Sequence, residues 1–306
     1  ISIDDTTYLE DAASEIRANN FRFHHGKLSG PGLLSHSGRL EFYQTTNNSV
    51  SGSRLLTKTG AIASIEVPYY WPVQFSNGAT WENQGTIAFA DAGWRPALTG
   101  TTGTSIINRA NGVIRNDDSE SGTLDIATQN EGRFEVTRGR MFVDKPTAWS
   151  GGTASIAAGA ELQIRNTSMG LTGTANSTTG EGWLQVVGTG SLSLPASTRL
   201  ASERVGFWDS SGISGPGELR VSKAAEWRPS TYATHVIDGT QVNLLADSVN
   251  RFEAFATFRL QNGATIRNAG TLDLRAAFNL ELNSGGVLEN SGTLTATSSG
   301  NNPTFG

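Results

Sequence analysis

Three groups of residues have the types and spacing to do chemistry. Asp117, Asp118 and Glu120 crowd three carboxylates into four positions, enough oxygen ligands to begin a weak Ca²⁺ site. Their simpler reading is a solvated turn between Asn116 and Gly122, because charged groups normally stay in water. As a glycosidic acid or base, any of them needs a second carboxylate brought up from another part of the chain, since that reaction uses a facing pair. His24, His25 and His36 are three of the four histidines. Neighbours at 24 and 25 on a strand point to opposite faces, which spoils the convergence that metal ligation requires. The third group is residues 67–73, where Pro68 and Pro72 bracket Tyr69, Tyr70 and Trp71. Two prolines argue for a loop or strand edge. Exposed there, the rings offer flat, polar-tipped platforms to a sugar or a protein partner; turned inward, they fill the core. Trp94, close to Pro96, is a further candidate for an exposed ring.

Those assignments leave Tyr69, Tyr70, Trp71 and Trp94 as expected contact residues, and Asp117, Asp118 and Glu120 as expected Ca²⁺ ligands. No catalytic residue or cofactor is expected: the chain has no phosphate loop, Gly-x-Ser-x-Gly elbow or His-Glu-x-x-His helix. Asn47, Asn166 and Asn176 stand in Asn-x-Ser/Thr sequons, relevant only where secreted chains are glycosylated.

The elements that must position these residues are short and Gly-punctuated. Residues 262–274 read Asn-Gly-Ala-Thr-Ile-Arg-Asn-Ala-Gly-Thr-Leu-Asp-Leu, and residues 77–89 read Asn-Gly-Ala-Thr-Trp-Glu-Asn-Gln-Gly-Thr-Ile-Ala-Phe. Each predicts two short strands of alternating character. The two copies lie 185 residues apart, and the same offset carries Gly30 onto Gly215, Glu41-Phe42 onto Glu226-Trp227, and Asn83 onto Asn268. This is an internal tandem repeat. A finer period of 22–23 residues separates Asn268 from Asn290 and Gly263 from Gly286. It suits one coil of a β-solenoid, with about three strands per coil and about 4.8 Å of rise. In the first copy Gly78 and Gly112 are 34 apart, and the excess assigns residues 93–105 to a surface loop. Recurring Asn83, Asn116, Asn268 and Asn290 are expected at left-handed corners, with their amides stacked in a hydrogen-bonded ladder.

Residues 1–20 are read as an N-terminal cap or incomplete coil. Asp5 and Thr6 could cap a short helix with Tyr8, Leu9, Ala12, Ala13 and Ile16 on one face. Residues 21–306 form a continuous solenoid, with repeat units at about 21–120 and 206–300 joined by divergent coils 121–205.

Composition narrows the function classes. Gly supplies 36 of 306 residues and the charged fraction is 17%, so turns are many and helix is little needed. A net charge of −5 with no basic run gives nothing for nucleic acid or an anionic membrane to hold. No Cys is present, which removes disulfides and Cys-based zinc sites. No apolar run reaches the roughly 18 residues of a membrane-spanning helix.

Residues 151–164 (Gly-Gly-Thr-Ala-Ser-Ile-Ala-Ala-Gly-Ala-Glu-Leu-Gln-Ile) and 290–294 (Asn-Ser-Gly-Thr-Leu) resemble coils of bacterial autotransporter passengers and filamentous-haemagglutinin-like surface proteins. The Ser-Gly-Pro-Gly-x-Leu stretches resemble units of long repetitive bacterial exoproteins. The resemblance implies a right-handed parallel β-helix, secretion to the cell surface or beyond it, and adhesive or structural work on a surface glycan or protein receptor. It implies no catalytic residues. Two other readings compete. One is a carbohydrate-active β-helix enzyme, a polysaccharide lyase, hydrolase or tailspike-like depolymerase. The other is a filament subunit whose open coil stacks end to end on another copy.

Overall fold

In the computed structural model the described residues are all but 44–47, 69, 91–94, 229–232, 254–256, 276–278, 298–303 and 306. Strand follows strand, and among the described residues there is no helix. Along Arg39–Tyr43, Leu40 and Phe42 are fully buried while Arg39 and Tyr43 face solvent. That period-2 alternation is what a pleated strand with one inner face demands. Neighbouring strands are parallel, and most strands pair with those three before and three after them in the chain; around the long strands Arg199–Trp208 and Glu218–Arg228 the step is two. The chain therefore returns on itself every three strands, as a right-handed parallel β-helix does.

The chain divides into two compact units. One comprises Ile1–Ala148 with Gly159–Glu161, and the other Trp149–Ala158 with Leu162–Gly306. A coil supplies one strand to each of three rows, except that in the second unit Arg199–Trp208 and Glu218–Arg228 each serve the first and second rows as one long strand. In the first unit Ile62–Glu66, Val73–Ser76 and Thr80–Asn83 are the first-, second- and third-row strands of one coil. In the second, Gln241–Leu244, Val249–Phe252 and Thr257–Gln261 play the same parts. The third row is the one that forms a sheet of its own. Ile16 pairs with Leu34 and Ile87 with Ile114, so coils run from 18 to 27 residues around the expected 22–23.

Aromatic side chains fill each core. In the first unit Phe23 stacks on Phe42 at 4.8 Å, and Trp81 stacks on Phe75 at 5.8 Å. In the second, Trp227 lies between Phe207 at 5.7 Å and Phe252 at 4.4 Å, and Phe258 continues the stack. Such offset and edge contacts add to what burial alone contributes.

The repeated stretch makes the two strands expected of it, Thr80–Asn83 and Thr86–Phe89 in one copy and Thr265–Asn268 and Thr271–Arg275 in the other. Asn77 and Gly78 have φ of 53° and 74°, and Asn262 and Gly263 have 55° and 77°. Ala79 and Ala264 each close the turn on the carbonyl three residues earlier, at 3.1 Å. Two consecutive positive φ angles give a type I′ turn, for which Asn-Gly is the preferred pair. Gly85 and Gly270 are needed for a different reason. A Cβ at either would collide with two backbone carbonyls of the preceding coil, those of Lys58 and Ala61 or of Leu245 and Ser248.

The copies nevertheless occupy different rows. Asn83 ends a third-row strand and Asn268 a first-row strand; Phe42 is in the first row and Trp227 in the second. An offset of 185 therefore advances the chain by whole coils plus one side. The same counting corrects the loop at 93–105. Gly78 and Gly112 stand at different corners, and Ala97–Gly100 is a second-row strand with Ala97 and Leu98 buried.

Three other expectations need correction. The short N-terminal helix is absent: Thr6–Tyr8 and Glu15–Ala18 are strands paired with Lys27–Ser29 and Leu33–His36. Asp11 instead caps a tight turn, its Oδ1 accepting from the backbone N–H of Ala13 and of Ser14 at 2.8 Å each. Pairing with the next coil outweighs the local helical pattern, because Leu9 then reaches the core while Tyr8 faces out. The ladder asparagines are not left-handed; among the described residues the left-handed ones are Asn77, Asn166 and Asn262. The amide ladder itself is present. Asn83 Nδ2 donates to Asn108 Oδ1 and Asn108 Nδ2 to Asn130 Oδ1, both at 2.6 Å, and Asn268 Nδ2 donates to Asn290 Oδ1 at 2.7 Å. Asn116 stands outside it, donating to the carbonyls of Asp118 and Arg138.

Candidate functional site

Because inward positions are committed to packing, anything the first unit presents lies at outward positions and corners. On its first row the outward positions of successive coils are Arg22, Glu41, Ser64, Ala88 and Arg115, aligned by strand register. The short side chains of Ser64 and Ala88 leave a groove of about 500 Å³, with Ile62 on one flank and Glu66 and Ala90 on the other. Arg39 and Arg115 line its two ends. Arg39 Nε meets Glu41 at 2.6 Å and its Nη2 meets Glu66 at 3.3 Å, while Arg115 Nε meets Asp117 at 2.7 Å. Ser64 Oγ donates to Glu66 at 2.6 Å. Arg39 also lines a second depression, floored in part by Ser2 and Phe21. The second unit has a groove of its own on its first row, floored by Ser177 and Ala201 and edged by Arg199, Arg220 and Glu203.

Beside the first unit's groove, the chain leaves Glu66 for the proline-bracketed segment. Trp71 N–H donates to Pro68 O at 2.9 Å, which closes a turn. Tyr70 is 82% exposed and Trp71 41%. Both rings that the structure describes in this segment thus face solvent; Tyr69 and Trp94 lie outside the described residues. Arg95 approaches the same corner, its guanidinium held above its ordinary range chiefly by the hydrogen bond to Glu120, with Tyr70 contributing weakly.

The three neighbouring carboxylates part company. Asp117 pairs with Arg115 and accepts from Thr137 Oγ1 at 2.9 Å. Glu120 pairs with Arg95 at 2.6 Å. Asp118 is fully buried, and its Oδ1 accepts from the backbone N–H groups of Glu120 at 2.8 Å and Ser121 at 3.0 Å. Instead of a solvated turn or a cation cage, the segment is a corner braced from inside by Asp118. Among the described residues, no three His, Cys, Asp or Glu are grouped to hold a metal ion.

The histidines divide as well. His24 lies 3.5 Å from Asp4 and its ring meets that of His25 at 4.4 Å. His36 is buried at the end of a third-row strand, its Nε2 2.9 Å from Thr57 Oγ1. Burial pushes its pKa down to about 4. His235 in the second unit is equally enclosed, with Nδ1 3.0 Å from Ser211 O and the ring stacked on Phe258, and burial lowers it to about 4 too.

The aromatic turn is legible in the sequence and the groove is not. Its signal was present in principle, as short residues at outward positions between arginines, and it needed the strand register to be seen. Among the described residues no helix is long and apolar enough to cross a membrane. No protein-family model, curated protein or solved structure matches the chain.

Proposed function

We propose that the chain is a non-enzymatic extracellular adhesin, or a structural rod segment of a long bacterial surface protein or fibre. The observation that supports contact-making most directly is the solvent-facing turn carrying Tyr70 and Trp71, held between Pro68 and Pro72. Rigid amphipathic rings lose little entropy on binding, and so suit recognition of a glycan or protein receptor. The test is binding of the purified chain to a glycan array and to cell surfaces, with Trp71→Ala as control. Loss of signal in the variant supports the reading. Equal signal from both proteins removes the aromatic turn from it.

One observation favours a second reading, the carbohydrate-active enzyme. In the first unit's groove Glu66 and Asp117 line the same flank two coils apart, about 9.6 Å by strand spacing, close to the carboxylate separation of inverting glycosidases. Against it, both carboxylates are already engaged by guanidinia, Glu66 by Arg39 and Asp117 by Arg115. Release of new reducing ends or unsaturated sugars from a polysaccharide panel, abolished in Glu66→Gln and Asp117→Asn, would overturn the non-enzymatic reading.

A further inference from the structure

We infer that the first-row groove of the first unit is a binding site for a neutral oligosaccharide segment. This deepens the contact reading above, but it concerns a different surface from the aromatic turn. Three features point there.

The first is size. From the Glu41 coil to the Arg115 coil is three strand spacings, about 14 Å, room for roughly two or three sugar rings lying along the groove. The floor under that length is Ser64 and Ala88, while both ends carry long charged side chains.

The second is the kind of polar group on offer. Arg39 and Arg115 are fixed by carboxylates, so their remaining N–H donors and the remaining carboxylate lone pairs are displayed in set directions. A sugar hydroxyl both donates and accepts, and so can bridge such donor–acceptor pairs without breaking them. Because the pairs are already ordered, little side-chain entropy remains to be lost on binding.

The third is charge. The groove's lining carries two guanidinia, Arg39 and Arg115, against two carboxylates, Glu66 and Asp117, and Glu41 beside it is shared by Arg22 and Arg39, so the groove has no surplus of cations. A phosphate, sulfate or uronate would meet two carboxylates and two already-paired guanidinia. A neutral saccharide pays no such penalty, and Ile62, 43% exposed, gives the C–H face of a ring an apolar contact.

The experiment uses the full chain on an array of neutral and acidic oligosaccharides, followed by calorimetric titration of the neutral oligosaccharide that gives the strongest signal. Three variants accompany it: Arg115→Ala, which removes one end of the groove; Ala88→Gln, which fills the floor; and Trp71→Ala, which alters only the aromatic turn. Circular dichroism checks that each keeps its strand content. The expected result is binding of a neutral oligosaccharide that weakens at least tenfold in Arg115→Ala and Ala88→Gln. Binding confined to acidic glycans, binding unaffected by both groove variants, or no oligosaccharide binding at all would each overturn the proposal. If Trp71→Ala alone abolishes binding, the contact reading stands and the groove proposal fails. If a groove variant unfolds, competition by the bound sugar against cysteine-specific labelling of Ala90→Cys reports occupancy directly: protection supports the site, and unchanged labelling refutes it.

Discussion

The two units build the same corner on different rows. In the first, the Asn-Gly turn leads into a third-row strand, and the amide ladder Asn83–Asn108–Asn130 runs along the end of that row. In the second, the equivalent turn leads into a first-row strand, and Asn268–Asn290 forms the ladder there. The motif carries its own I′ turn, its own close-packed glycine and its own amide, so any side of a coil can receive it. What separates the units is their dressing. At the corner between first and second rows the first unit has the proline-bracketed turn, whereas in the second unit Arg199–Trp208 and Glu218–Arg228 pass straight through that corner as single long strands.

The largest effects should come from the cores. Trp81→Ala and Trp227→Ala remove fully buried indoles, and each should lower unfolding free energy by about 3–5 kcal/mol in urea titrations. A comparable loss in the two units would support equivalent cores, and a cost near zero for either would break the comparison.

Acid should act next. His36 and His235 have folded pKa values of about 4 against an ordinary 6.5. The unfolded chain then takes up protons that the folded chain refuses. Stability is therefore complete above about pH 6.5, falls as pH drops toward 4, and levels off below that. Each histidine accounts for roughly 3 kcal/mol over that window. Replacing either by Leu should flatten the slope of stability against pH by about half of the histidine contribution, whatever it does to stability at neutral pH. An unchanged slope would show that the imidazole titrates freely.

The ladders should differ in a graded way. Asn108→Ala breaks two amide–amide bonds in a buried column, at a cost of about 2–3 kcal/mol; Asn268→Ala breaks one, next to a partly exposed partner, at about 1–2 kcal/mol. Reversed order in thermal unfolding would contradict the assignment of the longer ladder to the first unit. The smallest effect belongs to Gly78→Ala and Gly263→Ala. Both have positive φ and open space around a new Cβ, so each should lose only about 1–2 kcal/mol of stability, through backbone strain alone. Equal losses are the signature of one turn used twice.

The fold class and the two-strand form of the repeat could be read from the sequence because they are local. Period-2 alternation, Asn-Gly turns and small corner residues each leave a mark within a few positions. What failed was long-range. Nothing in the residues around Gly78 and Gly112 says that they occupy different corners, so a buried strand at Ala97–Gly100 looked like a loop. The helical pattern around Leu9 lost to pairing with a strand 21 residues on, Thr7 opposite Leu28. The groove at Ser64 and Ala88 joins residues from separate coils and exists only once register is known. The aromatic turn was visible because its prolines and rings are contiguous, and Asp118 was misjudged because burial depends on neighbours the local sequence does not name.

On the proposed reading the repeated coils are scaffold, and contact is made where the copies differ. Replacing residues 68–72 by the sequence of residues 253–257, their counterpart at the offset of 185, tests it in one protein. The expected result is an unchanged melting temperature together with weaker binding to the target surface, with the groove's hold on an oligosaccharide retained. A swapped chain that binds as the original does would contradict it.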